Sequence, residues 1–424
     1  MDNINSENNL TKKYQPLAVA AGFGSILGSG IIVGMSSTIT VWQNGLNLTN
    51  GQVGVISGAL TFAIAIGGLI TGLVTKAFGL VRSFNWMNFI YALGAIICVF
   101  APNYPVLLIG AIIAGLASGL DLPISLTMIS HDAPDDQTSS KLVASTQIFW
   151  QVGIFASYGA AFLVSRLAGA TGARVVFACL AVVALITWAW RTFSSKFRNF
   201  HIEGDKRMRA AEAKNHSSDQ VSVKNVLFGK NKKKYLSMLL CIMIFYICWN
   251  LLANTFGQFQ TFMLVQAKAS QTFATGAGLV LNIIAVFATM AFAKFSGGKY
   301  RNIFFVIGMI LQFLAMFSLA ILSHDLWPIV VAIGCYNIGN QVAGEAIYKV
   351  WTQEAFPVEI RSSLQGFLSG LSRFICGLFA FVTPMLVVQS VIKTTMFGFS
   401  ALIIVAFIFG FTMTRLEDKY HIRK

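Results

Sequence analysis

Apolar residues run along the chain in twelve long stretches, separated by short polar breaks and by one basic gap at 192–234 after the sixth. A helix needs roughly 20 apolar residues to cross the hydrocarbon core of a bilayer. The pattern therefore predicts twelve membrane-spanning helices at 17–42, 52–75, 84–101, 105–130, 142–166, 174–191, 235–263, 272–295, 302–323, 327–353, 363–389 and 394–415. Each is long enough to cross with some tilt. A membrane β-barrel would show alternating segments of about 10 residues, and no part of the chain alternates in that way. The expected architecture is all-α, with two six-helix lobes at 1–191 and 235–424 joined by the 192–234 linker. The chemistry is expected to lie between helices, because little chain is left outside them.

Composition supports this reading. Of the 424 residues, 56% are hydrophobic and only 11% are charged, where a soluble chain carries about 25% charged residues. The net charge of +15 would suit nucleic acid if it were spread over one face, but its placement gives another meaning. With the N-terminus in the cytoplasm, 25 Lys and Arg fall in cytoplasmic segments and four (Arg166, Arg174, Lys268, Lys393) in external loops. Basic residues accumulate on the cytoplasmic side of membrane proteins, so both termini are expected in the cytoplasm of a cell-membrane protein. The polar N-terminus has no apolar core with a cleavage site, so no cleavable leader is expected there. The linker, with its basic runs, predicts an amphipathic helix lying on the inner leaflet.

Enzyme chemistry is not signalled. There is no P-loop, the five histidines form no metal-ligand spacing, and the six cysteines sit in apolar runs as small packing residues. No cofactor, metal or nucleic acid is expected. The small-residue spacing from Gly110 to Gly119 reads as close helix packing. Two echoes suggest duplication. Lys76-Ala-Phe-Gly79 follows span two and Lys294-Phe-Ser-Gly297 follows span eight. His131-Asp-Ala-Pro134 ends span four and Glu354-Ala-Phe-Pro357 ends span ten. Each pair is six helices apart, as in transporters built from parallel repeats.

The segment Tyr348-Lys-Val-Trp-Thr-Gln-Glu354-Ala-Phe-Pro357-Val-Glu-Ile-Arg361 resembles the E-x-F-P-x-x-x-R signature ending the tenth helix in the sugar porter branch of the major facilitator superfamily. With Asp121-Leu-Pro123, it is similar to a bacterial metabolite–proton symporter subgroup. The resemblance covers the whole chain. It implies the major facilitator fold, with a pseudo-twofold axis along the membrane normal and alternating access around a midplane site. It also implies sugar contacts at Gln147, six residues before Gly153, and at Asn282, fifteen before Gly297. It implies gating roles for Lys76, Gly79, Lys294, Glu354 and Arg361, and for His131, which replaces the family's glutamate and could titrate near neutral pH. The departures are as informative. Lys76 and Ala77 stand where the family has Asp-Arg, Leu80 and Val81 replace arginines, span one has no acid, and Ala111 stands where the fourth helix usually has arginine. The family's usual proton switch is therefore not carried over.

Ionisable groups within a bilayer are costly unless paired or wet. Asp121, Glu345, Lys349 and Arg373 are such groups. Asp121 and Glu345 are the candidate proton-coupling acids, and each can instead belong to a structural ion pair, since Glu345 and Lys349 are i,i+4. Lys349 stands where sugar porters place a tryptophan; with Arg373 it can receive a carboxylate or merely neutralise the acids. Asn250, Asn254 and Gln258 share one face of span seven, which suits a hydroxyl-rich ligand. Trp249, Tyr348 and Trp351 are candidates for stacking on a sugar ring. The expected function is proton-coupled uptake of a sugar, polyol or sugar acid by a monomer. The alternatives are a uniporter or exporter of a small organic acid, and a non-transporting sensor on a transporter scaffold.

Overall fold

The computed structural model describes residues 2–214, 229, 231–295, 300–322, 326–356, 358–386 and 390–422. Among them every regular element is a helix: α1 (Asp2–Leu46), α2 (Asn50–Phe78), α3 (Leu80–Val99), α4 (Tyr104–Asp132), α5 (Asp136–Leu163), α6 (Thr171–Phe193), α7 (Ser195–Lys214), α8 (Lys232–Gln266), α9 (Gln271–Phe295), α10 (Arg301–Leu322), α11 (Leu326–Val342), α12 (Glu345–Ala355), α13 (Val358–Ala380), α14 (Thr383–Leu386) and α15 (Ile392–Lys419). Helices bond their backbone internally, which is what hydrocarbon demands. Eight of them (α1, α2, α4, α6, α8, α9, α10 and α15) carry stretches long and apolar enough to cross a membrane alone. With α3, α5, α13 and the α11–α12 pair they make up the twelve expected spans. Large apolar side chains such as Leu73, Ile148, Ile186, Phe287, Met290 and Val331 remain exposed, as a lipid-facing surface requires.

Polar residues set the ends. Thr49 caps α2 in a reciprocal box with Gln52, Asn103 caps α4 and Asp135 caps α5; each satisfies backbone N–H groups of a first turn. Gly79 joins α2 to α3 at φ 84°, a conformation disfavoured by a Cβ. The structure departs from the expected spans in one place that matters later. Span ten is not continuous: it breaks at Ala343 and Gly344, so α12 begins on Glu345.

The chain divides into two compact units, Met1–Ser218 and Asp219–Lys424. Helix pairing within them repeats. In the first, α1 packs on α5 and α6, α4 on α2 and α3, and α3 on α6. In the second, α8 packs on α13 and α15, α11 on α9 and α10, and α10 on α15. Each of these five pairs in the first unit has its counterpart in the second, as expected of a duplicated six-helix unit.

The linker helix does form as α7, but its apolar side does not face a leaflet. Phe197 and Phe200 are buried among Tyr14, Leu17, Phe84, Ile124 and Met128, so α7 is packed against α1, α3 and α4. The reason is that its aromatic positions match an apolar surface left open at that end of the first unit. Elsewhere, packing relies on glycine. A Cβ on Gly119 would land on the Ile64 carbonyl, and one on Gly67 would meet the Leu116 carbonyl. The α2 and α4 backbones therefore touch. Gly119→Ala is expected to cost about 1–3 kcal/mol by overpacking, read as a lower thermal midpoint in detergent; an unchanged midpoint would mean that α2 and α4 separate freely.

Candidate functional site

In the first unit the dominant feature is a buried arginine at the end of α6. Arg191 donates to the Asp121 carboxylate at 2.6 and 3.4 Å. It also donates to Ser125 at 3.2 Å, to the Ala20 carbonyl at 3.2 and 2.8 Å and to the Phe84 carbonyl at 3.0 Å. Its guanidinium lies 4.0 Å over the Phe84 ring. All five N–H donors are used, and α1, α3, α4 and α6 are tied at one point. A Cβ on Gly24 would strike the Asp121 carboxylate, so glycine on α1 makes room for the pair. Arg191 is third from the end of α6 and Phe84 fifth in α3. Asp121, eleven residues before the end of α4, is thereby tied to the ends of α3 and α6 nearest the α2–α3 turn. Its partner is Arg191, not Lys349 or Arg373.

At that same end, Asp132 accepts from both imidazoles, His131 at 2.7 Å and His201 at 2.5 Å. His131 also meets Asp205 at 3.2 Å, and Arg207 donates to the Asp132 carbonyl at 2.6 Å. Tyr14 donates to Glu203 at 3.0 Å. These contacts fix α7 to α4 and α1. The acid of this end is thus Asp132, one position after the His131 that replaces the family's glutamate. Lys76 is exposed and forms no ion pair among the described residues. The Gln147 side chain lies outside the described residues, but Gly153, six positions on, lets α5 press against Ile26 and Ser29 of α1.

In the second unit, polar and aromatic groups of α8, α12 and α13 meet at the α11–α12 break. Lys349 pairs with Glu345 at 2.7 Å across one helical turn, both about half exposed. Glu345 also lies in the field of Arg373 on α13. Tyr246 stacks between Tyr348, 3.8 Å away, and Trp249, 5.6 Å away, while Gln365 and Ser369 sit beside the two phenols. Asn250 donates to Ser372 at 2.8 Å, and Gln258 to Asn254 at 2.9 Å. A Cβ on Gly344 would strike the Asn340 carbonyl and the Trp249 ring, so the break is what lets Trp249 press against it. The Trp249 indole N–H is buried without an acceptor among the described residues. Trp351 is a correction. It is fully buried, edge-on to Phe245 and Phe305, and acts as core because its face of α12 is turned to α8 and α10. Asn282, on α9, donates to its own helix at Gly278.

The end of the second unit is held by Arg301. It forks onto Glu354 with bonds of 2.8, 3.0 and 3.0 Å and reaches Glu417 at 2.8 Å. The side chains of Lys294 and Arg361, and Pro357 of the signature, lie outside the described residues. Arg301 and Glu417 are almost wholly buried. Arg301→Gln leaves two carboxylates facing each other and is expected to cost about 3–5 kcal/mol. Glu417→Gln keeps the fork to Glu354 and should cost clearly less. Thermal unfolding of the two purified variants orders them; equal losses would contradict the bidentate assignment.

Comparison with known proteins places this geometry. The Major Facilitator Superfamily model matches residues 18–381. The chain is 28% identical over 402 residues to the minor myo-inositol transporter IolF of Bacillus subtilis, covering 93% of this chain and 88% of that protein. It is 22% identical over 426 residues to the probable metabolite transport protein CsbC of the same organism, covering 95% and 91%. Among solved structures, the crystal structure of a D-xylose-proton symporter aligns with a TM-score of 0.76 at 16% identity, covering 92% of this chain and 96% of that one. The matching family is one of transporters and not of enzymes, and the fold agrees with the sugar porter resemblance. Twelve spans in two alike six-helix units, a match over residues 18–381 and full-length relatives that are transporters make this chain a member of the Major Facilitator Superfamily.

Proposed function

We propose that the protein takes up a sugar or polyol-like substrate together with protons, by alternating access, with both termini in the cytoplasm of the cell membrane. The observation that supports this most is the polar and aromatic niche at the α11–α12 break. There Glu345 and Lys349, the Asn250 amide bonded to Ser372 and a Trp249 indole N–H with no acceptor among the described residues lie on the elements that meet at Gly344. The myo-inositol transporter relative and the D-xylose-proton symporter neighbour make a hydroxyl-rich ligand and proton coupling the natural reading of those groups.

Roles divide between the units. Glu345 is the proton site, because it is open enough to exchange a proton and its Lys349 partner sits on the same helix. In the second unit Asn250, Asn254 and Gln258 bind substrate, with Asn282 beside them; in the first, Gln147 keeps the sugar contact that the resemblance implies. Lys76, Gly79, His131, Lys294, Glu354 and Arg361 belong to the gate ends. Asp121 is assigned to holding α4 against α1, α3 and α6. The functional unit is a monomer, with lobes 1–191 and 235–424 on either side of the linker.

Uptake of radiolabelled myo-inositol and D-xylose, with a wider panel of polyols and sugar acids, into proteoliposomes holding an inward proton gradient tests this. Accumulation above the outside concentration, collapsed by a protonophore, is expected for at least one compound. Equilibration indifferent to the gradient would make the protein a uniporter.

A further inference from the structure

The niche of the second unit has an unbalanced charge. Its ionisable groups are Glu345 and Lys349 on α12, Arg373 on α13, and the phenols of Tyr246 on α8 and Tyr348 on α12, with the Cys376 thiol one turn along α13. Glu345 is matched by Lys349 at 2.7 Å. Arg373 is left over. It is half-buried, and among the described residues it forms neither an ion pair nor a hydrogen bond. Arginine cannot shed its charge in a protein, and a half-buried guanidinium that feels Glu345 only through its field, with no bonded anion, is costly to keep within a membrane protein. Every other arginine described as buried has its anions or carbonyls: Arg191 has Asp121, and Arg301 has Glu354 and Glu417.

We infer that the transported substrate is a hydroxylated acid whose single carboxylate is received by Arg373, and that it crosses together with one proton on Glu345. This rests on the function proposed above and names its substrate class. A planar guanidinium takes a carboxylate through two parallel bonds, while the amides of Asn250, Asn254 and Gln258 and the Trp249 indole supply partners for hydroxyls. The charge count explains the pairing with a proton. With Glu345 ionised and the niche empty, its charge is +1. A proton on Glu345 makes it +2, and a bound carboxylate returns it to +1. The loaded and the empty niche thus carry the same charge, so neither half of the transport cycle moves an extra charge through low dielectric. The proton also frees Lys349 from Glu345, giving the carboxylate a second cation to approach. Glu345 and the substrate compete for the same cations, so loading one carboxylate favours protonation of the other.

The test uses the full-length protein in proteoliposomes, with D-glucuronate and D-gluconate set against D-glucose and myo-inositol as neutral probes. The acids are expected to be taken up with kcat/KM about 10- to 100-fold above the neutral probes, the range of one charge-assisted contact. Arg373→Gln should bring the acid-to-neutral ratio of kcat/KM down to about one, and Arg373→Lys, which keeps the charge without the fork, should retain part of the preference. An imposed membrane potential should leave acid uptake unchanged. Preference for neutral probes, an unaltered ratio in Arg373→Gln, or strong acceleration by an inside-negative potential would overturn the inference and leave the proposed function standing. Uptake of neither kind under a proton gradient would overturn both.

Discussion

Replacing Glu345 by glutamine is expected to leave a protein that exchanges substrate across the bilayer but cannot concentrate it. The amide keeps the shape of the carboxylic acid and removes its titration. The niche is then held permanently in the charge state of the protonated form. Exchange of labelled for unlabelled substrate uses only the loaded conformations and should survive. Net uptake requires the empty carrier to return after giving up its proton, and that step is lost. Net uptake should be absent under any imposed pH gradient, while counterflow of labelled for unlabelled substrate persists. The pair that is broken is half exposed on both sides, so the folding cost is small, about 1 kcal/mol or less. Accumulation and counterflow measured on one preparation check this; a variant that still concentrates substrate removes Glu345 from the coupling step.

Asp121→Asn has a large effect of another kind. Asp121 is 2% exposed and Arg191 1%, and the arginine has no other anion among the described residues. Removing the charge of one partner of a buried pair costs about 3–5 kcal/mol, a large part of the 5–15 kcal/mol that holds a typical domain together. The variant should express poorly and melt early, while the molecules that remain folded still concentrate substrate. Joint replacement, Asp121→Leu with Arg191→Met, should recover much of the loss, because a packed apolar pair avoids desolvating two charges. Thermal midpoints and uptake per folded molecule measure this. A stable, uncoupled Asp121→Asn would move the proton site from the second unit to the first.

Much of the fold was legible in the chain, because a bilayer leaves the sequence few options. Apolar length gives the spans, and the echo of His131–Pro134 in Glu354–Pro357 marks the duplication that the helix pairings repeat. Three elements were not legible. Arg191 ends an apolar run and was counted as one more cytoplasmic cation; its meeting with Asp121, seventy positions away, has no local pattern. The available signal was that apolar residues flank it on both sides, in Trp-Ala-Trp-Arg191-Thr-Phe. The break at Gly344 is hidden because apolar residues resume on both sides of it within one span-length stretch, although a glycine before a charged residue is a possible helix start. The docking of α7 was misread because an aromatic face suits a leaflet and a protein surface equally well. Of the candidate site, spacing brought Glu345 to Lys349 and Asn254 to Gln258. That Arg373 lies near Glu345 without bonding to it is a matter of tertiary placement alone.

The most direct test of proton coupling is luminal pH in proteoliposomes carrying a trapped pH-sensitive dye, recorded as substrate is added outside with no gradient imposed. The account predicts luminal acidification that follows substrate entry in the native protein and is absent in Glu345→Gln. Substrate entering while luminal pH stays constant would contradict it and leave a uniporter on the same fold.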